Sequence, residues 1–150
     1  MRPVTYSLQF RGLASVLENG LRKEASAPGC ALVTSLTHDG VAGSFVWAPG
    51  DDEAFLDTTL ALTAPNVFEE RGTIVFARGH AVRVRGRGRL AQSHDPHLRH
   101  GTVVWDVVGG EGQFGGASGR ITSNFLLSDT GDLTENQLGV IFANGAGPAP

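Results

Sequence analysis

Apolar and polar residues alternate along most of this chain with a period of two, which is the pattern of strands that bury one face. Residues 55–63 show it most clearly, because Leu56 and Leu60 fall on one face and Asp57 and Thr59 on the other. Further strands are predicted at residues 4–10, 30–38, 41–48, 73–78, 81–91, 102–108, 120–127 and 138–143. The gaps between them lack helical patterns long enough for parallel crossovers. The pattern predicts an all-β fold, a closed antiparallel β-barrel of about eight strands, with a β-sandwich as the alternative.

Turn and helix signals interrupt the strand pattern at a few places. The dipeptide Asp39-Gly40 predicts a tight hairpin turn between two strands. In residues 13–23, leucine and valine recur at a spacing compatible with one short helix or a packed loop. One barrel domain is predicted over residues 1–145, and residues 146–150 are expected to form a disordered tail.

The segment richest in glycine is residues 109–119, which hold six glycines between two predicted strands. Within it, Gly110, Gly112 and Gly115 match the G-x-G-x-x-G fingerprint of dinucleotide-binding proteins. That fingerprint needs a helix N-terminus to receive the pyrophosphate, whereas a strand pattern resumes here at Ile121. The segment is therefore interpreted as a glycine-rich connection between two strands, in which missing side chains permit tight backbone turns.

The same segment resembles part of a known family. Residues 108–119, Val-Gly-Gly-Glu-Gly-Gln-Phe-Gly-Gly-Ala-Ser-Gly, are similar to the VGGTGxFxGAxG segment of allene oxide cyclase-like and dirigent-like β-barrels. Residues 139–142 look like a closing strand of such a barrel, and the chain resembles a small bacterial-type member. Glu111 stands where the motif usually has threonine. No segment matches the catalytic motifs of the plant cyclases, so none of their active residues is carried over.

The resemblance implies a calycin-like barrel with a lined cavity that works on a small organic molecule without a cofactor. It also implies a homo-oligomer, a dimer or a trimer. The leading hypothesis is a cofactor-free cyclase or isomerase that acts inside the barrel on a small apolar oxygenated substrate, in specialised, polyketide-type metabolism. A non-catalytic protein that binds a small hydrophobic ligand is the alternative. A third hypothesis is a structural or interaction protein whose barrel core is completely filled.

Composition, net charge and cysteine count argue against several other classes of protein. The chain has 150 residues, of which 41% are hydrophobic and 18% charged, as in a globular domain. Its net charge of -3 argues against general nucleic-acid binding. Cys30 is the only cysteine, so no intrachain disulfide is expected and a reducing compartment is favoured. No signal peptide or membrane span is recognised, and a soluble cytoplasmic protein is the expectation.

A row of arginines is the most prominent charge pattern. Arg83, Arg85, Arg87 and Arg89 fall on one face of a predicted strand, because side chains alternate with a period of two. The simpler interpretation is a solvated outer face, since arginine is rarely buried without a partner. The functional alternative is that the row binds a carboxylate or phosphate of a ligand or partner.

Histidine and cysteine offer weaker candidates for chemistry. His94, His97 and His100 recur every three residues, but Pro96 and polar neighbours place them in a loop. They are interpreted as exposed loop histidines, and no metal site is predicted. Cys30 is interpreted as a buried and inert thiol rather than a nucleophile.

The preferred catalytic candidates lie in the two strands that flank the glycine-rich connection. Asp106 lies between Val104 and Val108 on its face, and burial in that apolar setting would raise its pKa and suit it to proton transfer. Asn124, in the next strand, is suited to donate a hydrogen bond to a developing oxyanion. Trp105 and Asp106 point to opposite faces, so an unbulged strand cannot place both in one cavity.

Two further acids and five binding residues complete the predicted site. Asp57 is a second carboxylate in the middle of a strand, and Glu69 lies in a predicted break between strands, at the barrel mouth. For each acid the alternative is a hydrogen-bonded or solvated position without a catalytic role. The substrate-binding candidates are aromatic side chains able to line a cavity, and one cation: Trp47, Trp105, Phe45, Phe125 and Arg85.

Overall fold

The structure, a computed structural model, describes residues 2–50 and 52–143, which form ten β-strands. They are β1 (Arg2–Leu17), β2 (Gly20–Pro28), β3 (Ala31–Thr37), β4 (Gly40–Trp47), β5 (Glu53–Ala64), β6 (Val67–Ala77), β7 (His80–Gln92), β8 (Leu98–Glu111), β9 (Ser118–Ser128) and β10 (Asp132–Ala143). Every pairing between them is antiparallel. One turn of 3-10 helix, Gly112–Phe114, lies between β8 and β9.

Eight of the strands close into a barrel in the order β1-β10-β9-β8-β7-β6-β5-β2. The long first strand closes it, because β1 pairs with β10 through its first part and with β2 through its second part. This confirms the predicted eight-stranded antiparallel barrel. The sandwich alternative is wrong, since the sheet returns to its own first strand.

The other two strands, β3 and β4, form a separate hairpin between β2 and β5. A tight turn is present where Asp39-Gly40 predicted one, but its two residues are His38 and Asp39, and Gly40 already pairs with Thr37. Gly40 has a φ of 120°, a conformation that side chains disfavour. Phe45 and Trp47 of this hairpin are more than half exposed. The hairpin is therefore not part of the barrel wall.

The period-two pattern determines which side chains face the barrel interior. In β10, for example, every second residue from Leu133 to Ala143 is buried, Glu135 and Gln137 included, and the residues that alternate with them are more exposed. Large apolar side chains that are at most 2% exposed fill the interior, among them Phe10, Phe68, Ile74, Trp105, Phe114, Ile121 and Phe125. A side chain without accessible area borders no void that admits water, so the middle of the barrel is packed.

Residues 13–23 contain neither a helix nor a packed loop. β1 continues to Leu17 and β2 begins at Gly20, and these two residues are partners at the end of the β1–β2 ladder. Leu13, Val16 and Leu17 are exposed at the end of β1. The helical prediction is wrong here because pairing of β1 with β2 outweighs a weak local spacing.

The glycine-rich segment connects two strands, as predicted, although β8 extends into it as far as Glu111. Gly112 and Gly116 have φ values of 63° and 69°, the left-handed conformation that permits a sharp reversal. Phe114 between them is buried and packs against Phe76 of β6, with ring centroids 5.3 Å apart. The connection therefore places an aromatic ring against the core at one end of the barrel.

The boundaries of the predicted domain stay predictions. The tail predicted at residues 146–150 lies outside the described residues. No helix in residues 2–50 and 52–143 is long and apolar enough to cross a lipid bilayer.

Candidate functional site

Three charged side chains of opposite sign meet in the middle of the barrel. Lys23 of β2, Glu70 of β6 and Glu135 of β10 point inward, and none is more than 1% exposed. The Lys23 Nζ atom lies 2.6 Å from a carboxylate oxygen of Glu135 and 3.1 Å from one of Glu70. No two of these strands are neighbours in the barrel, so the contacts run across its interior. Such burial removes three ions from water at a cost of several kcal/mol each, which makes the cluster the first candidate for a function.

Three neutral side chains extend this cluster, and two of them, Gln137 and Tyr6, lead towards one end of the barrel. The Thr58 hydroxyl donates to Glu70 at 2.6 Å, and the Gln137 amide donates to Glu135 at 2.7 Å. The Tyr6 hydroxyl then donates to the Gln137 carbonyl oxygen at 2.9 Å. Six side chains thus form one connected network, the buried polar chain: Thr58, Glu70, Lys23, Glu135, Gln137 and Tyr6.

Aromatic rings surround the ammonium group of Lys23. Its Nζ atom lies 3.5 Å from the ring centroid of Phe125 and 5.9 Å from that of Trp105. The ring faces add a cation–π attraction to that of the two carboxylates. Within the described residues, the indole Nε1 of Trp105 and the hydroxyl of Ser123 are buried without a hydrogen-bond partner. An unpaired buried polar group costs about 1–3 kcal/mol, so both atoms add to the energetic cost of this polar interior.

The electrostatics of the buried polar chain keep Lys23 charged and Tyr6 neutral. Burial lowers the pKa of Lys23, but Glu135 and Glu70 together raise it by more, so its net direction is upward. Burial raises the pKa of Glu70, against the opposing attraction of Lys23. Burial and, secondarily, the charge of Glu135 raise the pKa of Tyr6 far above its usual value. Tyr6 is thus a hydrogen-bond donor across the ordinary pH range.

Tyr6 is also the member of the buried polar chain nearest to solvent. It is partly buried, whereas the other five side chains are at most 2% exposed. Its ring packs edge-on against Phe76 with centroids 4.8 Å apart, and Phe76 contacts Phe114 in turn. A Cβ on Gly139 of β10 would lie 2.3 Å from the Tyr6 ring, so the glycine makes room for it. We call this region, formed by Tyr6, Phe76 and Phe114, the Tyr6 end.

Tyr6 provides a direct test of this arrangement, because it is the only tyrosine in the chain. Free tyrosine ionises near pH 10, but we expect no phenolate absorbance from the native protein there. Native Tyr6 and Lys23 both hold their protons more tightly than in the unfolded chain, so their contribution to stability is full below about pH 10 and is lost as the pH rises further. The measurement is ultraviolet titration in parallel with circular dichroism, with the protein in guanidinium as the reference. A native phenolate formed near pH 10 with the fold intact would contradict the burial of Tyr6.

Two solved structures similar to this chain are those of pterocarpan synthase dirigent proteins. GePTS1 is 15% identical with a TM-score of 0.45, and the match covers 95% of this chain and 92% of that one. PsPTS1 is 12% identical with a TM-score of 0.41, and the match covers 97% of each chain. Both are dirigent proteins, one of the two kinds of barrel that residues 108–119 resemble. No family model and no curated protein matches the sequence.

All four predicted catalytic residues lie on the outer face of the barrel. The side chain of Asp106 is 63% exposed and lies 3.4 Å from Arg120. Its predicted burial is wrong, because the valines that share its strand face, Val104 and Val108, are themselves exposed outer residues. Asn124 is exposed as well and hydrogen-bonds to a histidine of β8.

Asp57 and Glu69 also face outward. Asp57 accepts two hydrogen bonds from Arg22, at 3.1 and 2.9 Å, which hold the pKa of that carboxyl below its usual value. Glu69 lies within β6 rather than in a break between strands, 3.5 Å from Arg87. The structure spreads the four residues over β5, β6, β8 and β9 instead of bringing them together. Their catalytic roles stay predictions.

The five predicted binding residues divide between inside and outside. Trp105 and Phe125 face the interior, where both flank Lys23. Trp47 and Phe45 are exposed on the β3–β4 hairpin, and Arg85 is exposed on β7. Only the first two therefore lie beside the buried polar chain, and a binding role for any of the five stays a prediction.

The predicted loop histidines are exposed, although His100 falls within β8. His97 pairs with Asp129 at 3.1 Å, and His100 hydrogen-bonds to Asn124. Among the residues that the structure describes, no group of three histidine, cysteine or acidic side chains is arranged to hold a metal ion.

Sequence reasoning missed the charged residues of the interior, although the period-two pattern carries a signal for them. Glu135 shares its strand face with Leu133 and Ile141, and Glu70 shares its face with Ile74. A charged residue among positions that are otherwise apolar is the pattern of a buried charge. Asp106 also had apolar neighbours on its face, so the signal alone does not distinguish the two cases.

Proposed function

We propose that this protein is a cofactor-free cyclase or isomerase that acts at the Tyr6 end on a small apolar substrate bearing a carbonyl or related oxygen. The observation that supports this most is the buried polar chain, which links a Lys–Glu–Glu cluster to the partly buried hydroxyl of Tyr6. An apolar core of the same volume would often be as stable or more stable. A requirement for a positioned proton donor accounts for a buried charged network of this kind.

The raised pKa of Tyr6 defines its role in such a reaction. A neutral phenol donates a hydrogen bond to the substrate oxygen, in exchange for its present bond to Gln137. The donation stabilises negative charge that develops on that oxygen during cyclisation or enolisation. Lys23, Glu135 and Gln137 act as positioning residues, because they fix the location of the hydroxyl before the substrate binds and do not contact the substrate.

The packed middle of the barrel determines where the substrate would bind. Side chains around Lys23 have no accessible area, so the interior position expected from sequence is filled. At the Tyr6 end, the partly buried ring of Phe76 offers an apolar surface beside Tyr6, and the buried ring of Phe114 packs behind it. A rigid surface of this type holds a flexible substrate in one reactive conformer, which is most of what an intramolecular cyclisation requires.

The test compares Tyr6→Phe with Thr5→Val, which removes a hydroxyl from the adjacent exposed residue of β1. A panel of linear substrates with an unsaturated ketone is incubated with each protein, and cyclised products are measured by chromatography. Tyr6→Phe is expected to lower kcat about 10²- to 10³-fold with little change in KM, the range for loss of one oxyanion donor. Thr5→Val is expected to match the wild type. Equal turnover by Tyr6→Phe and wild type would contradict the proposal.

A second candidate function is non-catalytic binding of a small hydrophobic ligand at the Tyr6 end, and the observation that favours it is the outward position of all four predicted catalytic residues. This alternative predicts that the wild type binds members of the panel without converting them. Binding is measured by the chemical shifts of Phe76 and Phe114 in nuclear magnetic resonance spectra. Tight binding without turnover across the panel would favour the binding protein.

A further inference from the structure

The outer face of β6 and β7 carries a continuous row of positive charge. Arg83, Arg85, Arg87 and Arg89 follow β7, and Arg71 of β6 lies directly opposite Arg85. All five side chains are exposed, which agrees with the outer-face interpretation from sequence. We call these five residues the arginine stripe.

Most of this charge has no partner within the chain. Arg87 lies 3.5 Å from Glu69, and among residues 2–50 and 52–143 no ion pair is found for the other four. Asp106 is opposite Arg85 on β8 but pairs with Arg120 instead. The stripe holds five of the chain's 12 basic residues, so the rest of the molecule has seven against 15 acids. Positive charge is thus concentrated on one face of a protein that is acidic elsewhere.

The arrangement is unfavourable for the folded protein by itself. Like charges directly opposite each other on neighbouring strands are destabilising, and Arg71 and Arg85 form such a pair. A gain in stability therefore does not explain the stripe. We propose that the arginine stripe is a docking surface for an acidic, extended segment of a partner protein.

The spacing of the stripe fits carboxylates on an extended chain. Side chains two residues apart on a strand repeat at about 6.7 Å, so the four arginines of β7 span about 20 Å. An extended segment with an acid at every second position repeats at the same distance. An α-helix with acids four residues apart repeats at about 6.0 Å and drifts out of step by about 2 Å over four arginines. Each matched pair forms the fork-like contact of guanidinium with carboxylate.

The surroundings favour a protein segment over a nucleic acid. A groove beside the stripe is lined by valine, threonine, asparagine and arginine side chains, namely Val67, Arg87, Arg89, Thr102, Val104, Thr122 and Asn124. Hydroxyl and amide side chains beside the stripe suit the backbone N–H and C=O groups of an extended peptide whose acids face the arginines. The outer faces of β6, β7 and β8, all described by the structure, carry no phenylalanine, tyrosine or tryptophan. Binding of single-stranded nucleic acid relies on stacking with such rings.

The experiment measures binding of a fluorescent peptide that alternates glutamate with serine and contains four glutamates. At low salt we expect the full-length protein to bind it, and binding to disappear near 1 M salt, where charges are screened within about 3 Å. The double variant Arg85→Gln/Arg89→Gln is expected to bind about tenfold more weakly, because each exposed charge pair contributes a factor of a few. The control Arg11→Gln/Arg22→Gln has the same net charge and removes arginines from β1 and β2, so it should bind within about twofold of the wild type.

Further probes distinguish the alternatives. A peptide with its four glutamates contiguous, a helical peptide with glutamate at every fourth position, and a thymidine oligonucleotide are each expected to bind more weakly. Tighter binding of any of these three, equal losses in both double variants, or no peptide binding at low salt would each overturn the proposal. Arg85→Gln alone should leave the melting temperature unchanged or raised, since it relieves the apposition with Arg71. A marked fall would assign the stripe a structural role and would also overturn the proposal.

Discussion

Replacing Lys23 with methionine is expected to lower the free energy of unfolding by about 3–5 kcal/mol, because two buried carboxylates lose their common counter-charge. Glu135 and Glu70 lie within 2.6 and 3.1 Å of the ammonium nitrogen and are excluded from water. Methionine fills a similar volume, so the loss reports charge rather than a cavity. Since a domain of this size is stable by about 5–15 kcal/mol, the variant approaches the limit of folding. Urea denaturation followed by tryptophan fluorescence measures the change, as Trp105 lies beside Lys23.

Two control variants separate buried charge from other effects. Arg22→Met removes the neighbouring cation on the opposite face of β2, which pairs with Asp57 on the surface, and its effect should be far smaller. Adding Glu70→Gln and Glu135→Gln to Lys23→Met should recover much of the lost stability, since no unpaired charge is left. If Lys23→Met and Arg22→Met had equal effects, the buried cluster would be contradicted.

Replacing Phe125 with alanine is expected to lower the free energy of unfolding by about 3–5 kcal/mol through loss of buried surface and creation of a cavity. The Phe125 ring contributes to stability in two ways. It fills the space beside Gly101, so closely that a Cβ added to this glycine would lie 2.1 Å from the ring. It also covers the ammonium group of Lys23, whose Nζ atom lies 3.5 Å from the ring centroid. Phe125→Leu restores most of the volume but not the ring face, so the remaining loss measures the cation–π contact, about 1–2 kcal/mol.

The matched control is Phe55→Ala on β5, because that ring is more than half exposed. Substitutions at such surface positions change stability by about 0.5 kcal/mol or less. Calorimetry or urea denaturation measures the change in the free energy of unfolding for Phe125→Ala, Phe125→Leu and Phe55→Ala. A Phe125→Leu variant as stable as the wild type would show that the ring face adds nothing to packing.

The barrel was predictable because strand pairing follows a local signal. The alternation along residues 55–63 places Leu56 and Leu60 on the inner face, and this assignment does not require knowledge of the neighbouring strands. The alternation does not identify the inner face of β8, because Val103 on one face and Val104 on the other are equally apolar. Which face turns inward there depends on closure of the whole sheet, and Asp106 was misplaced for that reason.

The buried polar chain could not be assembled from sequence. Lys23, Glu70 and Glu135 come from three strands that are not neighbours, and only the curvature of a closed barrel brings them within hydrogen-bond distance. Local propensity also failed at the end of β1, where pairing with β2 replaces a weak helical spacing. Pairing between strands that are distant in sequence determines the buried polar chain, and pairing with another strand determines the end of β1. A short stretch of sequence does not show which strands will pair.

The closure of the barrel by its first strand has a consequence for how the chain folds. Arg2 pairs with Ala143, so the ladder that completes the barrel joins the two ends of the described chain. Pairings this distant in sequence slow folding, and a nascent chain cannot form them until β10 has left the ribosome. Pulse-labelled hydrogen exchange should therefore show protection of β7, β8 and β9 before the first part of β1, which pairs with β10. Before that last step β2, β5 and β6 can already bring Lys23 to Glu70, so closure of the barrel is the step at which the second carboxylate, Glu135, reaches the ammonium group.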